Sequence, residues 1–92
     1  MPRAATSMPT IATFHGVIIR LYYHDHQPPH FHALYGEAEA LIGINLVVVL
    51  QGRLPAARLK DVLAWAQRHQ PDLRDRWQRC QNHQPVPRIA YP

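Results

Sequence analysis

An α+β domain is predicted, an antiparallel meander of four to five strands followed by two helices packed on one face. Three observations predict it. Apolar residues alternate with polar ones through the first half of the chain, the period-2 signature of half-buried strands. Past residue 53 the period changes to that of helices. Turn residues fall between the segments rather than inside them, as at His15-Gly16 and Gly36-Glu37. Ninety-two residues suit one domain with one modest core.

The elements follow in order. Residues 1–7 read as a disordered extension, and Met8 competes with Met1 as the start. The single domain is expected over 8–92, with the sheet in 8–52, the helices in 53–83 and an extended tail over 84–92. "TIATF" (10–14) and "VIIRLYY" (17–23) are two strands turning at His15-Gly16. In the second, Val17, Ile19, Leu21 and Tyr23 share one face. "HFHALY" (30–35) places Phe31, Ala33 and Tyr35 against His30, His32 and Leu34. "AEALIGI" (38–44) places Ala38, Ala40, Ile42 and Ile44 together, and "VVVLQ" (47–51) closes the sheet.

Register is testable by parity, because a slip of one residue reverses every side chain. A tight turn at Gly36-Glu37 pairs Tyr35 with Ala38, Ala33 with Ala40 and Phe31 with Ile42, all on the apolar side. In the preceding hairpin, Tyr23 opposite Phe31 keeps apolar against apolar. That choice sets His24 opposite His30 and Tyr22 opposite His32, with the histidines on the face away from Trp65 and Trp77.

"LPAARLKDVLAWAQRHQ" (54–70) carries Leu59, Val62, Leu63 and Ala66 at helical spacing. Pro55 suits a first turn, where its missing N–H costs nothing. Pro71 and Asp72 open a second helix, whose Leu73, Trp77 and Cys80 share a face, and Asn82 is its stop. Both tryptophans belong to the core.

Composition narrows the function classes. The lone Cys80 excludes an internal disulfide, no run is long or apolar enough to span a bilayer, and "MPRAATS" lacks the apolar core of a secretory signal. A cytoplasmic protein is expected, with no membrane partner. The formal charge is +4 with histidines neutral, and seven of the basic residues lie between Arg53 and Arg79. A basic helical half can meet RNA, DNA or an acidic partner, and it is equally a solvated helix surface. Arg20, Arg53 and Arg58 are the candidate nucleic-acid or partner contacts.

The chemistry concentrates in "HDHQPPHFH" (24–32), which holds four of the seven histidines. Three readings stand. As a metal site, His24, His26, His30 and His32 supply imidazoles for a divalent transition metal, with Asp25 placed to orient one of them. The His-x-His followed by Glu37 is half of a cupin signature, but the other half and the strands for that barrel are absent. As an acid/base site, His26, His30 and His32 supply the groups an RNA hydrolase needs, with Tyr22, Tyr35 and Arg20 nearby. As a structural hairpin, Pro28-Pro29 forces an extended loop and Gly36 takes positive φ in a tight turn that presents the loop to a partner.

"MPTI" (8–11), Phe14 and Gly16, "DHQPPHFHALYGE" (25–37), "GRLP" (52–55) and the tryptophan helix together resemble a small bacterial family, domain of unknown function 4160. The resemblance runs from about Met8 to Ile89. Its matching positions are His26, Pro28, Pro29, His30, His32, Tyr35 and Gly36. It implies one component of a toxin–antitoxin-like module, with a small protein encoded by an adjacent gene as partner. It brings no catalytic residue set. A homo-oligomer formed through the histidine face, with Ile18 and Leu34, is also compatible with the pattern.

Overall fold

The computed structural model describes residues 9–92, so the expectations for residues 1–7 and for Met8 lie outside the described residues. Five strands form one antiparallel sheet in chain order: β1 (Thr10–Phe14), β2 (Val17–Arg20), β3 (His30–Tyr35), β4 (Ala38–Gly43) and β5 (Val49–Arg53). Two helices follow, α1 (Ala56–Arg68) and α2 (Gln70–Gln81). The predicted α+β class is the observed one.

The β3–β4 hairpin has the register that parity demands, with Tyr35 opposite Ala38, Ala33 opposite Ala40 and Phe31 opposite Ile42. Gly36 makes its two-residue turn with φ at +58°. In the β1–β2 turn His15 and Gly16 are both at positive φ, which matches the right-handed twist of the flanking strands. A bulge at Ile11 lets two consecutive residues, Ile11 and Ala12, both point inward.

The β2–β3 pairing differs from expectation. Ile19 lies opposite Ala33 and Arg20 opposite His32, two residues away from the predicted register. An even shift keeps every side chain on its face, so the core assignment survives while the neighbours change. Strand β2 ends at Arg20 rather than Tyr23, and residues 21–29 leave the sheet. His24 is therefore not a cross-strand partner of His30. Strand β4 ends at Gly43, and β5 starts at Val49 rather than Val47, with an extra residue at Leu50 bulging against β4.

Pro55 occupies the cap position of α1, which buries Val62, Trp65 and Ala66 at helical spacing. His69 alone separates α1 from α2, and Pro71 stands in the first turn of α2. Asp72 in the first turn of α2 and Arg79 in its last complement the helix dipole. Trp65 is fully buried and meets Phe31 edge-on, with ring centroids 5.9 Å apart, so the helices cover the apolar sheet face as predicted.

The tail is extended, as expected, but it is also docked. The Ile89 amide donates to the Ile11 carbonyl (2.7 Å), closing the β1 edge. Tyr91 stacks on Phe14 at 4.6 Å, and the Trp65 indole N–H donates to the Ala90 carbonyl (3.2 Å). Arg76 and Arg79 donate to the Pro87 (2.9 Å) and Pro85 (3.3 Å) carbonyls. Much of the basic stretch on α2 thus holds the chain's own backbone.

Cys80 is buried on α2, and burial, reinforced by the negative charge of Asp25, pushes its thiol up to about 11. Only the thiolate is nucleophilic, so the folded thiol is inert near neutral pH. An aromatic disulfide reagent at pH 8 should react with no thiol in the folded chain and with one after unfolding in urea.

Candidate functional site

Among the described residues, two places stand out, one for its chemistry and one for its exposed apolar surface. The first is the segment between β2 and β3. Because the chain leaves the sheet after Arg20 and returns at His30, Asp25 swings back over the start of β3. Its Oδ2 lies 2.9 Å from His30 Nε2 and 3.0 Å from His32 Nε2. The Gln81 amide of α2 donates to the Asp25 carbonyl (3.2 Å), tying the loop to the second helix. His30 is 1% exposed and its ring lies 5.4 Å from that of Trp77, so this end of the histidine row is enclosed and does not face away from the tryptophans. His32 carries Tyr22 stacked on it at 4.1 Å, and its Nδ1 lies 3.0 Å from Glu39 Oε2.

Burial raises the Asp25 carboxyl. The His32 hydrogen bond, the His26 amide and the fields of His30 and His32 outweigh that effect and hold it below its ordinary value. Burial, followed by the charge of Glu39, raises the Tyr22 phenol.

Of the four candidate histidines, the structure brings His30 and His32 together around Asp25, which is a member of the cluster rather than an adjacent orienter. These three can offer donor atoms within 4.8 Å of one another. His26 sits at the rim with its side chain 80% exposed and Nε2 3.7 Å from Asp25 Oδ1. His24 belongs elsewhere: its Nε2 meets Nε2 of His83, and both residues hold positive φ. The pattern of the hairpin could not reveal His83, which lies 59 residues away. Glu39 was also missed, although its place diagonal to His32 follows from the β3–β4 register.

The three candidate arginines do not converge. Arg20 on β2 donates to Thr10 Oγ1 on β1 (3.4 Å). Arg53 is exposed on β5, three strand spacings or about 14 Å away. Arg58 on α1 pairs with Asp61 (3.1 Å) and lies over the Tyr35 ring.

The second place is the β5 edge. Leu46, Val48, Val49 and Leu50 are 72%, 40%, 38% and 44% exposed. A groove of about 240 Å³ runs beside them, floored by Gly43 and walled by Pro28, Pro29, Leu46, Val48 and Leu50. Sequence reasoning took this run as the strand that closes the sheet. The last strand of a meander is an edge, and this one carries no charge before Arg53.

The model of one family, domain of unknown function (DUF4160), matches residues 16–78. The chain belongs to that family. The match takes in both hairpins that build the histidine cluster, the β5 edge and most of the two helices, and it stops short of the reach of the sequence resemblance at both ends. No curated protein and no solved structure matches this DUF4160 chain. Among its described residues no helix is long and apolar enough to cross a membrane.

Proposed function

We propose that the chain is the partner-binding component of a cytoplasmic, toxin–antitoxin-like two-gene module, and that it holds its partner protein through the β5 edge. The observation that carries this is the exposed apolar group Leu46, Val48, Val49 and Leu50, which leads into and begins an edge strand with no charge before its last residue. Natural sheets blunt such edges with charge, proline or a covering segment, because unpaired backbone and apolar side chains invite another chain. The opposite edge follows the rule, since the tail bonds to β1 at Ile11. At β5 a partner segment adds a strand and lays its side chains against Val49 and Leu50, the mode in which main-chain bonds give affinity and side-chain contacts give specificity.

The product of the adjacent gene, co-expressed with the chain, should co-purify with it. Val49→Lys leaves the core intact and puts a charge on the edge. Burying a Val or Leu side chain is worth about 1.5–3 kcal/mol, so the variant should weaken the complex roughly ten- to a hundredfold by calorimetry. Unchanged affinity in Val49→Lys would overturn the reading. So would a wild-type dimer that the same change splits into monomers, because the edge would then be occupied by a second copy. The alternative reading as a histidine-dependent RNA hydrolase has less behind it, since His30 and His32 are both buried and His26 alone stands at the surface.

A further inference from the structure

The proton positions in the histidine cluster are set by its neighbours. His30 Nδ1 lies 2.8 Å from the Pro28 carbonyl, and His26 Nδ1 lies 3.2 Å from the Gln27 carbonyl. A carbonyl only accepts, so Nδ1 carries the proton in both rings. His32 lies between two carboxylates, Glu39 at Nδ1 and Asp25 at Nε2, each at 3.0 Å, so either nitrogen can carry its proton and a cation at Nε2 leaves that proton on Nδ1, facing Glu39. In a neutral imidazole of that tautomer Nε2 is a bare lone pair.

All three Nε2 atoms turn toward one carboxylate. The distances from Nε2 to an Asp25 oxygen are 3.7 Å for His26, 2.9 Å for His30 and 3.0 Å for His32. The His30 nitrogen is buried and, despite its closeness to Asp25, makes no hydrogen bond. Nitrogens this close to a carboxylate need protons or a cation between them, and the unpartnered His30 Nε2 lacks such a proton bond, so a cation at this point satisfies all of them at once.

We infer that Asp25, His30 and His32 bind one divalent first-row transition ion, for which zinc is the best match. Imidazole and carboxylate are ligands zinc accepts, and bonds of about 2.0–2.2 Å set neighbouring donors roughly 3–3.5 Å apart. The separations around Asp25 Oδ2, 2.9 and 3.0 Å, fall a few tenths of an ångström short of that spacing, so the carboxylate moves outward slightly as the ion enters. Ligating histidines are oriented by an acceptor on the other ring nitrogen, which the Pro28 carbonyl and Glu39 provide here. Trp77 beside His30 and Tyr22 stacked on His32 hold the ring planes. His26 at the rim is the fourth ligand, or leaves that position to water.

The test is titration of the chelator-treated, refolded full chain with Zn²⁺ by calorimetry and with Co²⁺ by visible absorption. One equivalent should bind, and cobalt should give the intense bands of low-coordinate geometry. His32→Gln and Asp25→Asn should abolish uptake. Glu39→Gln keeps every ligand and removes one orienting acceptor, so it should weaken uptake about 10–100-fold. His83→Ala, which removes the surface pair with His24, should leave one equivalent bound. Imidazole nitrogen spectra of the wild-type chain serve if a variant fails to fold: zinc should shift Nε2 of His30 and His32 while Nδ1 stays protonated. A folded chain that takes up no zinc overturns the inference, and so does uptake lost in His83→Ala but kept in Asp25→Asn.

Discussion

Replacing Trp65 by alanine should bring the chain to the edge of unfolding. The indole is completely buried and lies between the sheet and the tail. Phe14 meets it at 5.2 Å and Phe31 at 5.9 Å. Truncating a buried tryptophan costs about 3–5 kcal/mol, because lost transfer energy is joined by a cavity that neighbours fill only in part. The variant also loses the donor that holds the Ala90 carbonyl, so the tail loosens with the core. A 92-residue domain has only about 5–14 kcal/mol to lose. With a urea slope of about 1–3 kcal/mol per molar, the midpoint followed by far-ultraviolet circular dichroism should fall by roughly 1–5 M. A drop as small as that of an exposed substitution would mean that the tail and Phe14 close over the gap.

Gly52→Ala should act on the opposite edge and just as sharply. Gly52 sits at φ +78°, and a methyl group there would lie 2.2 Å from the Glu39 carbonyl oxygen. The left-handed conformation alone costs a side-chain-bearing residue about 1–2 kcal/mol. The clash adds to it, because the obstacle is backbone of the neighbouring strand and cannot swing aside. Relief requires β5 to move off β4, which opens the Ala40–Gly52 and Leu41–Gln51 pairs. Hydrogen exchange should therefore accelerate in β4 and β5 while β1 and β2 stay protected. On the proposed function, affinity for the co-purified partner should fall together with that protection, since β5 is no longer held in place. Acceleration spread evenly over the sheet would show that β5 does not open by itself.

What the sequence discloses divides along a physical line. The β3–β4 register was legible because both strands alternate cleanly across a two-residue turn, and a slip would have buried Glu39. The end of β2 was not, because Leu21 and Tyr23 continue the alternation after pairing with β3 has stopped. Leu21 still bonds to the Pro9 carbonyl (3.1 Å) and is still buried, so its composition is that of a strand. Asp25 could be seen beside the histidines but not among them. Its position depends on the path of an irregular loop, and no periodicity describes such a path. The docked tail left one trace: a buried indole N–H needs an acceptor, and a tryptophan facing a sheet from a helix has none nearby. The exposure of Leu46, Val48, Val49 and Leu50 was concealed because an exposed apolar run has the same composition as a core.

The bond from Ile89 to Ile11 also sets an order of events. Every strand pair in the meander joins neighbours in sequence, so the loops to be closed are short and their entropic cost is small. The tail joins segments from nearly opposite ends of the chain, the most expensive loop in the molecule. It is also synthesised after every strand and both helices. The sheet can therefore pair while the outer side of β1 is still bare, and that side gains its bond only when Ile89 arrives.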